Sequence, residues 1–426
     1  KEHREKRMGY LVSEQFTDMH SKNMGKKLTN AAERFETIYP KHKGSDTVTF
    51  IMGARKRLRF SKPAVEARKL MDASNFSEFM LQEFLKHVPL KKAHNQAFMD
   101  ASLADFEEKK TSKSAATIAN HAGRSCRDWL IDTGLVFMKS QHCTKFDNRF
   151  RDAKAAQAIV CFQHAVLCRL APFVRYIERK IAEVLPEKFY IHSGKGLEEL
   201  NAWVTRGGFE GVCTESDYEA FDASQDQYIL AFELHVMKYL GLPRDLIEDY
   251  KFIKMHLGSK LGNFAIMRFS GEASTFLFNT MANMLFTFLR YEIKGHERIC
   301  FAGDDMCANA RLRHRLDQEK FLGLLKLKAK VSFTQKPTFC GWNLCSDGIY
   351  KKPQLVLERL CIAKETNNLA CCIDNYALEV AFAYKMGERA VLRMDEEELQ
   401  SHYNCVRIIL QNKNLIKSNV LTYFSA

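Results

Sequence analysis

The run Phe301-Ala-Gly-Asp-Asp-Met306 lies between two short β-prone stretches, Arg298 to Phe301 and Met306 to Ala310. A glycine followed by two carboxylates at such a junction predicts a tight turn joining two antiparallel strands. Adjacent carboxylates repel one another unless a cation neutralises them, so the pair is electrostatically expensive. On its own, Gly303-Asp-Asp305 is most often ordinary turn chemistry. Its meaning depends on partners elsewhere in the chain.

Asp217 is the first partner, in Glu215-Ser-Asp-Tyr-Glu-Ala-Phe-Asp222. It ends the β-prone segment Val212 to Ser216, where its side chain can face the hairpin tip. Carboxylates from separate strands make a hard-oxygen site of the kind Mg²⁺ prefers, with waters and substrate phosphates completing the coordination. Two such ions can activate a hydroxyl and stabilise the oxygen that leaves in an in-line displacement. A nuclease uses similar pieces, so the reaction class stays open at this point.

Between Asp217 and the turn, two helices are predicted. Ala223 to Leu240 carries apolar residues at helical spacing and stops at Gly241 and Pro243. Ser274 to Arg290 is apolar nearly all round and is therefore expected to be buried. Ser270-Gly-Glu272 precedes this second helix, and Thr275 and Asn279 share one of its faces. Polar groups there need hydrogen-bond partners, and for Thr275 alone a structural role suffices. Together with Asp222, Asn279 is suited to a ribose 2′-hydroxyl, which is both donor and acceptor and separates RNA from DNA. Gly271 is expected to let the backbone move beside template or nucleotide.

Asp217 and Asp222, then SGxxxTxxxN from Ser270 to Asn279, then Gly303 to Asp305, occur in that order. They resemble motifs A, B and C of positive-strand RNA virus polymerases. The finer pattern is similar to replicases of flexuous filamentous plant viruses in the tymovirus-like order of the alphavirus-like supergroup, most like carlaviruses and foveaviruses. Phe137-Met-Lys-Ser-Gln141, Ala220-Phe-Asp-Ala-Ser-Gln225 and Pro337-Thr-Phe-Cys-Gly-Trp342 carry it as well. The likeness is best from Lys139 to Tyr350.

The resemblance implies an α/β right-hand fold with fingers, a palm of antiparallel sheet backed by helices, and a helical thumb. It divides the chain into fingers over residues 1–206, palm over 207–345 with an insertion of about 223–269, and thumb over 346–426. It implies template-directed RNA synthesis, with RNA template, nascent strand and nucleoside triphosphates as partners. Asp217, Asp304 and Asp305 would hold Mg²⁺ or Mn²⁺. Asp222 and Asn279 would read the sugar, supported by Ser270 and Thr275. Lys139, Arg149, Arg151 and Lys154 would face the incoming triphosphate. Lys330, with Lys336 as competitor, would protonate pyrophosphate, and Phe339 to Trp342 would form a hairpin gripping the primer. Cytoplasmic, membrane-associated replication complexes are a further implication.

Two other readings stand beside this one. Reverse transcription shares a two-metal palm, but Ala302-Gly303 replaces a Tyr-containing turn, and Asp222 with Asn279 suits a ribose hydroxyl. A non-catalytic RNA-binding module would not need all three carboxylates.

Composition points the same way. Lys and Arg number 64 against 51 Asp and Glu, a net charge of +13 and pI of about 9.0, which favours a polyanionic partner. Thirteen cysteines include no CxxC pair; Cys161, Cys168 and Cys361 read as small buried hydrophobes of a reducing compartment. The basic cluster Ala54-Arg-Lys-Arg-Leu-Arg59 is expected to be a solvated edge or an RNA-facing strand. Phe276 to Tyr291 is too interrupted by polar residues for a membrane span. The chain begins at Lys1 without a visible signal peptide. It is expected to be an excerpt of a larger replicase polypeptide, with other activities upstream.

Overall fold

A computed structural model describes residues 42–111, 130–140 and 155–425. Its centre is a five-stranded sheet built from β3 (Phe189–Ile191), β4 (Cys213–Tyr218), β5 (Ile299–Ala302), β6 (Asp305–Ala308) and β7 (Ala329–Thr334). Two further strands, β1 (Leu135–Met138) and β2 (Ala158–Cys161), pair with each other ahead of it. The spatial order across the sheet is β7-β4-β6-β5-β3. β5 and β6 form the hairpin that Gly303 predicts, with Ala302 opposite Asp305. Gly303 has φ +57, the left-handed region that glycine enters without strain. The expected all-antiparallel sheet needs one correction, because the edge pair β3–β5 is parallel. All four residues of β5 are buried, which is why they read as a continuous apolar run rather than an alternating one.

The chain's helices explain the burial. We number them α1 (Thr47–Arg57), α2 (Pro63–Ser74), α3 (Ser77–Leu85), α4 (Gln96–Thr111), α5 (His164–Val184), α6 (Gln227–Tyr239), α7 (Arg244–His256), α8 (Thr275–Arg290), α9 (Pro353–Glu365), α10 (Leu369–Met386) and α11 (Glu396–Gln411). Every residue of α8 from Leu277 to Leu289 is buried, as its all-round apolarity requires. Phe84 of α3 meets Phe232 of α6 and Phe288 of α8 at centroid distances of 5.5 and 5.9 Å. These contacts join the early helices, α6 and the sheet's supporting helix in one core. A second cluster sets Phe50 and Ala54 of α1 against Val136, Val160 and Phe269.

Beyond the sheet, β8 (Thr338–Phe339), β9 (Trp342–Cys345) and β10 (Gly348–Lys351) form a three-stranded meander. Cys340 and Gly341 turn its first corner with φ of +51 and +79. Helices α9, α10 and α11 share their own buried cluster, around Leu360, Ile373 and Ile409. Trp342 meets Phe382 of α10 at 5.2 Å, tying the meander to those helices. The α9 helix falls within the stretch expected to form a helical thumb, and Pro353 at its start is a helix-opening signal.

Two expectations are corrected. The basic cluster from Ala54 to Arg59 is not a strand: it closes α1, whose start is capped by the Asp46 carboxylate accepting from the Thr49 amide at 3.0 Å. Cys161, Cys168 and Cys361 are half-buried, and among the described residues the buried thiols are Cys213, Cys300, Cys307, Cys345 and Cys405. Among the described residues, no helix is long and apolar enough to cross a membrane.

Candidate active site

The β5–β6 turn and the end of β4 meet at one end of the sheet's central strands. Ser216 pairs with Met306, so Asp217, one residue further, stands abreast of the turn. Carboxylate oxygens of Asp217, Asp304 and Asp305 all lie within 4.8 Å of one another. Crowding by desolvation and by the two neighbouring carboxylates pushes the Asp304 carboxyl up to about 7. Three acids this close are a suitable holder for divalent cations, whose charge reverses that penalty.

The turn does not hold itself. Asn283 is fully buried on α8, and its Nδ2 donates to the carbonyls of Gly303 (3.0 Å) and Asp305 (2.9 Å). Its Oδ1 accepts from the Tyr218 hydroxyl at 2.8 Å. Thr280, three residues earlier on the helix, accepts from the Gly303 amide at 3.0 Å. On the other side, Asp305 Oδ2 accepts from the Cys340 amide at 3.2 Å, which fastens the turn to the β8–β9 corner. Sequence reading passed over Asn283, though a second buried amide on an apolar helix was itself a signal that something across from it needed a partner.

Asp222 reaches the same cleft by a sharp reversal. After β4 the chain passes Ala220 in the left-handed conformation, φ 45, a strained position for a residue with a side chain. The reversal sets Asp222 Oδ1 2.9 Å from Asn279 Nδ2 on α8. Burial raises the Asp222 carboxyl above its ordinary range, offset in part by the Asn279 hydrogen bond and the charge of Arg268. Thr275 Oγ1 instead bonds the Phe269 and Glu272 carbonyls at 2.6 and 2.9 Å, closing the loop before α8. Ser270 Oγ donates to the Ala158 carbonyl of β2 at 3.3 Å.

Gly271 has a different physical reason from the one expected. A Cβ there would lie 2.0 Å from the Val160 carbonyl oxygen, so the residue is glycine because β2 passes against it. The loop is seated on the strand.

These groups line one cleft of about 550 Å³, walled by Arg57, Gln157, Phe221, Asp222, Ser270, Thr275, Asn279 and Asp304 among others. Arg57 comes from the cluster that looked like a solvated edge. Its neighbour Arg59 serves structure: Nε and Nη2 donate to the Ala223 and Ile266 carbonyls, each at 2.7 Å. Lys330 lies opposite Asp217 in the β7–β4 register and so shares its face of the sheet. Lys139 follows β1 with its side chain exposed. Arg149, Arg151 and Lys154 lie outside the described residues.

A profile of the RNA dependent RNA polymerase family matches residues 12–419. The chain belongs to this family. Its mixture of helices and sheet is consistent with the α/β right-hand fold of that family. It is 75% identical over its whole length to the RNA replication polyprotein of Blueberry scorch virus, of which it covers 22%. It is 70% identical, again over the whole chain, to the RNA replication polyprotein of Potato virus M, and 46% identical over 92% of the chain to a protein of Apple chlorotic leaf spot virus named RNA-directed RNA polymerase. A solved picobirnavirus polymerase shows a distant likeness, 12% identical with a TM-score of 0.41 over 69% of this chain and 64% of that one. The polymerase chain spans about a fifth of the length of the polyproteins it matches. Use of a divalent metal follows from the family, and the acidic trio is the group of described residues arranged to hold one.

Proposed function

We propose that the cleft carries out template-directed RNA synthesis, in which an RNA 3′-hydroxyl attacks the α-phosphorus of a nucleoside triphosphate and pyrophosphate leaves. The observation that carries this reading is the convergence of Asp217, Asp304 and Asp305 beside the Asp222–Asn279 pair. Mg²⁺, or Mn²⁺ in its place, would supply Lewis-acid stabilisation of the attacking and leaving oxygens when held by the three carboxylates. The protein's own contribution is placement: Asn283 and Thr280 keep the turn at one height above α8, so the carboxylates meet substrate without rearrangement.

The sugar is read by Asp222 and Asn279. Each retains hydrogen-bonding capacity beyond their mutual bond, one accepting and one donating, which matches a hydroxyl. Lys139, Arg149, Arg151 and Lys154 neutralise the triphosphate, and Arg57 in the cleft wall adds a further positive charge. Lys330 donates the proton to pyrophosphate. It shares a sheet face with Asp217, whereas Lys336 lies close enough to Asp395 and Glu398 near the start of α11 to influence both carboxyls.

The meander containing Phe339 to Trp342 grips the primer strand, being fastened to Asp305 through Cys340. A thumb from residue 346 draws support from the separate buried cluster of α9 to α11, and the palm, taken over 207–345 with its insertion, also takes in β3 from the 1–206 stretch because that strand pairs into the central sheet. Upstream parts of the same replicase polypeptide would be partners, and cytoplasmic membrane-associated complexes the setting. Labelled ribonucleotide incorporation on a primed RNA template tests the reading. Synthesis by the wild type and its loss in Asp304→Ala support it; synthesis undiminished in that variant sinks it.

A further inference from the structure

Among the described residues Arg268 is the largest fully buried side chain, with 1% of it exposed, and nothing in the proposed chemistry uses it. A buried guanidinium demands charge and hydrogen-bond compensation. Glu233 of α6 forms an ion pair with its Nη2, and Glu272 accepts from Nη1 at 3.0 Å. The Tyr250 hydroxyl of α7 lies 3.2 Å from Nη1 and itself donates to Glu233 at 2.8 Å. Lys254, also buried, donates to Glu272 at 2.6 Å. Two cations thus balance two anions. Committed to these partners, Arg268 is not available as a triphosphate ligand.

What remains of the guanidinium faces the sugar-reading pair. Arg268 Nε donates to Asn279 Oδ1 at 3.3 Å, and the Arg268 backbone amide donates to the Asp222 carbonyl at 2.9 Å. An arginine can only donate and an ionised carboxylate can only accept. Asn279 sits between them, so its carboxamide has one allowed orientation: oxygen toward Arg268, nitrogen toward Asp222. That orientation leaves the pair one further Asn279 N–H and the second Asp222 oxygen, a donor and an acceptor.

We infer that Arg268 is a positioning residue for ribose selection, holding Asn279 and Asp222 in the one arrangement that pairs with a 2′-hydroxyl on both its donor and acceptor sides. The Glu233–Arg268–Glu272–Lys254 frame is the anchor that makes this arrangement rigid. It links α6, α7 and the loop before α8 to the pair, so sugar selection is set by residues from three separate elements. The inference rests on the reading of Asp222 and Asn279 as the sugar-contacting pair.

The experiment compares kcat/KM for ribonucleotides and 2′-deoxyribonucleotides on a primed RNA template, using the replicase that contains this chain. Arg268→Lys, Asn279→Ala and the double variant are compared with wild type. Arg268→Lys is expected to lower the ribo/deoxy ratio by about tenfold, the weight of one well-placed hydrogen bond, chiefly through a higher KM for ribonucleotides. In the Asn279→Ala background the same change should lower the ratio no further. If Asn279→Ala lowers the ratio and Arg268→Lys leaves it at the wild-type value, the inference is overturned while the sugar reading stands. An equal drop from Arg268→Lys in both backgrounds overturns it too, since Arg268 would then act independently of Asn279. An unchanged ratio in Asn279→Ala defeats the sugar reading itself and the inference with it. Should Arg268→Lys fail to fold, Glu272→Gln decides: it frees one side of the guanidinium while keeping its shape, and a ratio equal to wild type overturns the inference.

Discussion

Two groups of three carboxylates meet at one cleft, which Asp304 lines from the first and Asp222 and Glu272 from the second, and they are built on opposite principles. Asp217, Asp304 and Asp305 bring their carboxylates within 4.8 Å of one another, and desolvation together with the two neighbouring charges holds Asp304 up at about 7. Asp222, Glu233 and Glu272 are at least as enclosed, yet each is answered by a protein donor: Asn279, Arg268 or Lys254. The first group leaves its charge for an outside partner to neutralise. In the second, Arg268 and Lys254 balance Glu233 and Glu272 from within, and a neutral amide bonds Asp222. Proximity of acids therefore says little until their compensation is counted.

The sharpest way to break this contrast is to remove one member of the open group. Asp217→Ala or Asp304→Ala should cut nucleotide incorporation by a thousandfold or more, about 4 kcal/mol at the barrier, with RNA binding retained in a gel-shift assay. Near-normal turnover in either variant would mean that the trio is not the metal site. The closed group should fail differently. Arg268→Met leaves buried Glu233 without its cation and Glu272 with Lys254 alone, and is expected to destabilise the fold by about 3–5 kcal/mol, measured by denaturant unfolding. Asp304→Asn, by relieving repulsion, should leave stability unchanged or slightly raised in the same assay.

Smaller effects sharpen the comparison further. Asn283→Ala strips two hydrogen bonds from the turn and one from the Tyr218 hydroxyl, at a cost of about 1–3 kcal/mol, with a fall in kcat. A normal kcat would show that the turn keeps its height without the amide. Gly271→Ala must push β2 away, costing about 1–3 kcal/mol by overpacking; unaltered stability would show that the loop lifts freely. Last, Mn²⁺ should raise the melting temperature of wild type and not of a variant with Asp217→Asn, since only a charged trio binds it. An equal rise in both would place the stabilising ion elsewhere.

Much of the open group was legible before any fold was known. A glycine between β-prone runs announces its own turn, and adjacent acids announce their own cost. The helix from Thr275 to Arg290 was equally plain, because burial on all sides leaves a sequence apolar on all sides. The parallel edge pair was hidden, since β3 precedes β5 by more than a hundred residues and neither carries a mark of direction. The closed group was hidden for a related reason. Glu233, Lys254 and Arg268 look like any charged residues on amphipathic segments, and only the packing of α6 and α7 turns them inward.

Gly271 shows the same limit at a single position. Its identity signalled that the backbone there was special, but mobility and close approach give the same letter, and only β2 passing at contact distance tells them apart. The sequence by itself determined the order of the motifs, the hairpin, the buried helix and the family, because each depends on local conformation or on residue identity at short spacing. The tertiary structure alone decided which charges pair, which face the cleft and which buried side chains hold the catalytic turn. Those outcomes depend on distance in space, and electrostatic and hydrogen-bond energies fall away within a few ångströms whatever the separation along the chain.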